Sequence, residues 1–210
     1  MNKPTILYIH GFASAPGLKA DLLRNAFPEC DVIAPTLTGN VFKDSAILAT
    51  LWDQLKEVKP QSQSLHVVGT SLGGFYALSL AAKASFEKFP LIQTTYLINP
   101  SFEPHITLRK YLGVPVPNWK TGEPITLEED SFRQLKHLYE YITNSQQNLL
   151  KDSKLEVFIG EKDDVLTFDN FYKFIQDNGI NANYTYDKQD HRFQDISSVI
   201  AKLSKEIIYF

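Results

Sequence analysis

The stretch "LHVVGTSLGGFYALSLAA", Leu65 to Ala82, decides the fold. A β-branched, apolar run stops at Gly69, a single serine stands between Gly69 and Gly73, and an Ala- and Leu-rich run of helix formers follows. That order predicts a buried strand, a tight turn and a helix. A serine on such a turn projects its hydroxyl above the carboxyl edge of a sheet. The chain passes so closely there that the residues two before and two after the serine must be small, which Gly69 and Gly73 are. The amide of Leu72 then lies at a helix N-terminus, where partial positive charge collects and a developing oxyanion is stabilised. A bare G-x-S-x-G arises by chance in roughly one chain in fifteen of this size. The strand before it and the helix after it are what sharpen the signal. The competing interpretation makes Ser71 a helix cap and the glycines mere packing sites.

Outward from this turn, further short β-branched or aromatic runs end on turn residues: 5–10, 30–35, 94–99, 155–160 and 182–187. Most lack clean alternation, as strands covered on both faces do. Helical spacing separates them at 18–27, 45–58 and 168–179, the last ending on Gly179 as a left-handed cap, and a long amphipathic helix is expected over 193–210. Strands alternating with helices call for right-handed crossovers and a mostly parallel sheet with helices on both faces, a three-layer α/β arrangement. The 210 residues fit one domain, 1–210, interrupted by a proline-rich insertion at about 101–150 that ends in a helix-like piece from roughly Leu127 to Leu150. Such an insertion suits a binding loop or small cap, or an irregular covering of the sheet edge.

Composition narrows the classes. A net charge of −3 without a basic block excludes the electrostatic footprint of a nucleic-acid or anionic-membrane binder. No apolar run reaches the roughly eighteen residues of a membrane span, and the N-terminus lacks a signal-peptide core. The one cysteine, Cys30, precludes an internal disulfide. A cytoplasmic protein is the expectation.

A serine hydroxyl needs a base, and the base needs an orienting group. In this fold they follow in the order serine, acid, histidine. Of the five histidines, His191 lies between the last predicted strand and the last predicted helix, on a loop at the sheet's carboxyl edge, and is the expected base. His137 falls in the insertion helix, on an expected solvated face, while His105 at the insertion's start and His66 inside a strand are readable as structural. The acid should follow strand 155–160, where Glu161, Asp163 and Asp164 stand. Asp163 is favoured because the loop must turn before Val165 and Leu166 bury; Asp164 is its rival, and a helix cap is the ordinary role for either. The strand ending at His10-Gly11 supplies the second oxyanion donor, the amide of Phe12, with His10 shaping the loop by hydrogen bonding. Phe75, Tyr111, Trp119 and Phe193 are the candidate substrate-pocket aromatics, each alternatively core or surface packing.

The segments "LYIHGFASAPGLKA", "VVGTSLGGFYA", "LINPSFEP", "YLGVPVPNWKTGE", "GEKDDVL" and "DHRF" occur in an order similar to that of the small bacterial YqiA/YcfP-type esterases, which have the α/β-hydrolase fold. The resemblance spans nearly the whole chain and is strongest at His10–Phe12 and Gly69–Gly74. It implies a Ser71–Asp163–His191 triad, Phe12 and Leu72 amides as oxyanion donors, and neither a metal nor an organic cofactor. The paired aspartates of "GEKDD" depart from the family pattern and set Asp164 beside Asp163 as the alternative acid. The expected activity is hydrolysis of a small carboxylic ester through an acyl-enzyme. A thioesterase with the same triad, or a non-catalytic ligand- or protein-binding member of the fold, are the alternatives.

Overall fold

The computed structural model describes residues 3–58, 64–89, 92–144 and 148–207. Strands β1 (Thr5–Ile9), β2 (Asp31–Ile33), β3 (Leu65–Thr70), β4 (Ile92–Ile98), β7 (Lys154–Gly160) and β8 (Asn181–Asp187) form one sheet in the order β2-β1-β3-β4-β7-β8. Every pairing in it is parallel. Strands β5 (Val116–Pro117) and β6 (Pro124–Ile125) make a separate antiparallel hairpin within the insertion.

Two hydrophobic cores flank the sheet because its residues alternate between its faces. On one side Ile6, Tyr8, Val68, Tyr96, Ile98 and Phe158 share a core with helices α1 (Gly17–Ala26) and α7 (Ser197–Glu206). On the other, Leu7, Ile9, Val67, Leu97 and Val157 share one with α2 (Val41–Val58), α3 (Leu72–Phe86), α5 (Glu129–Ile142) and α6 (Asp169–Asp177). The expected three-layer, mostly parallel α/β-hydrolase architecture is therefore what the chain adopts. Helix α3 is buried almost all round because it lies between the sheet and α5. Fully buried large side chains such as Trp52, Phe75 and Phe158 each contribute about 2–3 kcal/mol of hydrophobic stabilisation.

Several boundaries differ from those read in the sequence. Helix α2 begins at Val41, four residues earlier than expected, because buried Asp44 accepts hydrogen bonds from the amides of Thr38 and Gly39 and gathers the entering chain around its first turn. Helix α7 begins at Ser197, not Phe193, because Phe193 has a φ of 45°, which a helix cannot contain. Residues 208–210 of that expected helix lie outside the described residues. The insertion helix α5 (with a short α4, Pro104–Thr107, and a 3₁₀ turn, Arg109–Tyr111, before it) stops at Ile142, where Thr143 Oγ1 donates to Tyr139 O. Gly179 takes the left-handed cap conformation, with a φ of 58°.

Strand register brings the loops that matter to one edge. Ile9 lies beside Gly69, Gly69 beside Leu97, Leu97 beside Val157, and Val157 beside Tyr184, so one row crosses the sheet. The segments carrying Phe12, Ser71, Asn99, Asp163 and His191 all leave the sheet just past that row, at its carboxyl edge.

Candidate active site

Ser71 links β3 to α3 with φ 54° and ψ −120°, a conformation that costs a residue bearing a Cβ about 1–3 kcal/mol. The surroundings enforce it. Ser71 N donates to Ile98 O at 2.9 Å, and Ser71 O accepts from Ser101 N at 3.0 Å and Gly74 N at 2.9 Å. A Cβ at Gly69 would stand 2.3 Å from Gly73 O, and one at Gly73 would stand 2.1 Å from Ile9 O. Both glycines are thus required by close backbone approach. The Ser71 hydroxyl makes no capping bond to its helix. Its Oγ lies 3.1 Å from His191 Nε2.

His191 stands on the loop after β8, with its side chain 22% exposed, so it is reachable from solvent. Its Nδ1 lies 2.8 Å from Asp163 Oδ2, while the Asp163 side chain is 1% exposed. Asp163, and not Asp164, is the carboxylate that faces the imidazole. Its second oxygen, Oδ1, accepts from the amides of Val165 at 2.9 Å and Leu166 at 3.0 Å. Burial raises the Asp163 pKa, but the hydrogen bonds from His191, Leu166 and Val165 together outweigh it and hold the carboxyl below its ordinary value. Asp163 is therefore an anion at neutral pH. That anion makes Nδ1 the protonated nitrogen of a neutral His191 and leaves Nε2 free to accept from Ser71.

Two residues hold the histidine loop that the sequence left without a role. Asn99, buried at the end of β4, donates from Nδ2 to Asp190 O at 3.1 Å and His191 O at 3.3 Å. Its Oδ1 accepts from Gly160 N at 2.7 Å, tying the His191 loop to the end of β7, the strand that precedes Asp163. The only sequence signal for Asn99 is an asparagine, a type that tolerates its φ of 41°, directly after a strand in "LINPSFEP". Lys19 Nζ donates to Arg192 O at 2.7 Å, and burial, partly offset by Asp190, pushes its pKa down to about 8.

The loop after β1 passes over the serine: a Cβ at Gly11 would lie 3.2 Å from Ser71 Cβ. Leu72 heads the 15-residue α3, so its amide is one of the four that a helix leaves without an internal partner. His10 Nε2 accepts from Leu37 N at 2.9 Å, which places the ring proton on Nδ1, 2.9 Å from Gly11 O. Burial lowers the His10 pKa, outweighing the effect of Gly11 O and Asp44, so the ring is a neutral brace for the loop.

The four candidate pocket aromatics do not gather in one place. Tyr111 lies against Phe12, with ring centroids 6.0 Å apart, and Trp119 is 70% exposed on the hairpin turn. Phe75 and Phe193 are both fully buried, in the two different cores on opposite faces of the sheet, and cannot line one pocket. Phe75 is directed inward by the first turn of α3, and Phe193 belongs to the core beneath α1 and α7. A cavity of about 400 Å³ lined by Ala81, Lys88, Phe89, Ile92, Asp152 and Lys154 opens at the amino edge of the sheet, the far end from Ser71. Among the described residues no group of three or more His, Cys, Asp or Glu side chains could hold a metal ion, and no helix is long and apolar enough to cross a membrane.

A parallel sheet flanked by helices, with a strained serine at a strand-to-helix turn, defines an α/β-hydrolase-fold protein. The chain belongs to the family described as "Uncharacterised protein family (UPF0227)", whose model matches residues 5–206, the YqiA/YcfP-type group that its motifs resemble. Its fold is similar to that of Est1E from Butyrivibrio proteoclasticus, with a TM-score of 0.68 and 16% identity over 98% of this chain and 86% of that one. It is similar also to FphF, a fluorophosphonate-binding serine hydrolase of Staphylococcus aureus solved with substrate bound (TM-score 0.66, 11% identity, 100% of this chain and 86% of that one). An S-formylglutathione hydrolase from Agrobacterium tumefaciens matches with a TM-score of 0.63 and 14% identity, over 97% of this chain and 83% of that one.

Proposed function

We propose that the protein is a serine hydrolase that cleaves small carboxylic esters, a carboxylesterase-like enzyme with Ser71 as nucleophile, His191 as general base and Asp163 as its orienting acid. The observation that carries this reading is the continuous relay from Asp163 Oδ2 to His191 Nδ1 at 2.8 Å and from His191 Nε2 to Ser71 Oγ at 3.1 Å. Ser71 Oγ attacks the ester carbonyl carbon as its proton passes to Nε2. The carbonyl π electrons move onto oxygen, and the amides of Phe12 and Leu72 receive the resulting negative charge. Asp163 stabilises the imidazolium without taking its proton. Collapse of the tetrahedral intermediate breaks the bond to the alcohol, which leaves with the proton from Nε2. A water, deprotonated in turn by His191, attacks the acyl-enzyme, and the acid is released with Ser71 regenerated. Tyr111, beside Phe12, is the aromatic we assign to the substrate's surroundings.

Thioesters are the second substrate class, because the same relay expels a thiolate and one structure of similar fold is an S-formylglutathione hydrolase. Matched oxygen and thiol esters of one acyl group, compared by kcat/KM, separate the two.

The test is turnover of 4-nitrophenyl acetate by wild type and Ser71→Ala, with fluorophosphonate labelling of both. A loss of roughly 10⁴- to 10⁶-fold and loss of the label are expected. Equal turnover in the two proteins, or a wild type that resists the label, would return the chain to the non-catalytic members of the fold.

A further inference from the structure

The loop bearing Phe12 is held from outside by the β5–β6 hairpin. Asn118, at the start of the hairpin turn and 8% exposed, divides its amide group between two tasks. Its Oδ1 accepts from Lys120 N at 2.9 Å and Thr121 N at 3.2 Å, organising the turn itself. Its Nδ2 points the other way and donates to Ser14 O at 2.9 Å. Both partners demand this orientation of the amide, since a carbonyl needs a donor and two N–H groups need an acceptor. The next residue adds a second tie: Trp119 N donates to Ala13 O at 3.1 Å. Two consecutive carbonyls of the loop are therefore gripped by a turn more than a hundred residues away in sequence.

The loop requires that grip. Ala13 has a φ of 50°, in the left-handed region that residues with a Cβ avoid. Two residues earlier, Gly11 O accepts from Ser14 Oγ at 2.9 Å and faces His10 Nδ1. In a trans peptide the C=O and the following N–H point in opposite directions. Donors on Gly11 O thus aim the Phe12 N–H away from them, and Ser14, which supplies one of those donors, is itself anchored through its carbonyl by Asn118. The chain of connections runs from the hairpin turn to Ser14, to Gly11 O, to the direction of the Phe12 amide.

We propose that the hairpin of the insertion is a clamp that sets the oxyanion loop, with Asn118 as a positioning residue acting through Ser14. The proposal rests on the serine-hydrolase reading for its catalytic consequence. It gives the insertion a role in transition-state stabilisation and accounts for a buried asparagine that touches none of the reacting groups. Misdirecting one of two oxyanion donors leaves ground-state binding in place and removes stabilisation that exists only in the transition state.

Asn118→Asp is the discriminating variant, because a carboxylate keeps the turn-capping acceptor and lacks the donor to Ser14 O. The expected result is a fall in kcat of about 10- to 100-fold, part of the loss seen when an oxyanion donor is removed outright, with KM for 4-nitrophenyl acetate within about twofold. The inhibition constant of a phenylboronic acid, which mimics the tetrahedral intermediate, should rise in parallel. Amide exchange across residues 11–15 should quicken. Ser14→Ala, which cuts the bond to Gly11 O while leaving the hairpin untouched, should lower kcat in the same sense even where Asn118→Asp folds poorly. The exposed Lys120→Ala serves as the control and should stay within about twofold. A folded Asn118→Asp with wild-type kcat and inhibitor affinity, or with the whole loss in KM, overturns the proposal. Should Ser71→Ala leave turnover unchanged, the serine-hydrolase reading fails separately, and wild-type exchange protection of residues 11–15 in Asn118→Asp would then overturn the clamp by itself.

Discussion

Replacing Asp163 by asparagine changes one atom in the relay, and the structure fixes how the new side chain must sit. Oδ1 accepts from two backbone N–H groups, Val165 and Leu166, at 2.9 and 3.0 Å. An amide nitrogen there would face two donors in a site that is 1% exposed, so the asparagine oxygen has to take that place. Its NH2 then meets His191 Nδ1 and turns that nitrogen from donor into acceptor. The ring proton moves to Nε2, the nitrogen 3.1 Å from Ser71 Oγ, which can no longer take the serine's proton. A triad locked in the wrong tautomer loses about 10⁴ in kcat, or about 5.5 kcal/mol of transition-state stabilisation at about 1.4 kcal/mol per decade. The two amide bonds survive, so the fold should too. The assay is steady-state hydrolysis of 4-nitrophenyl acetate by Asp163→Asn beside Asp164→Asn, with folding checked by circular dichroism. The neighbour should stay within about threefold of wild type, since only Asp163 faces the ring. An Asp163→Asn enzyme within about tenfold of wild type, or a larger loss at Asp164, would refute the reasoning.

Asn99→Ala should cost about 1–3 kcal/mol in urea unfolding, because the Gly160 amide is left buried without its partner, and should lower kcat by about 10-fold as the histidine loop loosens; unchanged kcat would reduce Asn99 to a purely structural residue. His66, fully buried with neither ring nitrogen hydrogen-bonded among the described residues, is pushed down to about 4 by burial, which outweighs the opposing effect of Glu206; Lys154 lowers it further. Because the unfolded chain takes up this proton near pH 6.5 and the folded one only near 4, the unfolded state binds more protons in that window, so stability falls on acidification. The loss attributable to His66 is about 2 kcal/mol between about pH 7 and pH 5. His66→Leu should remove that share of the acid sensitivity in urea melts at the two pH values, and an unaltered pH slope would refute it.

Much of the architecture was legible in local sequence because strands buried on both faces and helices with one apolar stripe leave short-range periodicities. All six sheet strands, the order of the elements and the turn at Ser71 follow from such patterns, and the glycine pair at 69 and 73 signals a backbone approach that admits no Cβ. Chain order along a parallel sheet also brought His191 and the segment after residue 160 to the same edge. Local reasoning favoured Asp163 over Asp164 on the expected burial of Val165 and Leu166, yet Val165 is 47% exposed; which aspartate faces the imidazole is decided by the direction in which the loop aims two adjacent side chains. Phe75 and Phe193 show the same limit: an aromatic near the site in sequence belongs to whichever face of the sheet the backbone presents, and a φ of 45° at Phe193 is invisible in composition. Asn99 and Asn118 are further cases, because Gly160 and Ser14, which they bind, lie 61 and 104 residues away and only the folded chain brings them within hydrogen-bonding distance. What the sequence determined by itself was the set of short-range conformations and the chemistry they carry. What only the tertiary structure decided was which distant carbonyls and amides meet, because those contacts depend on sheet register and loop path, and no pattern within a single segment encodes either.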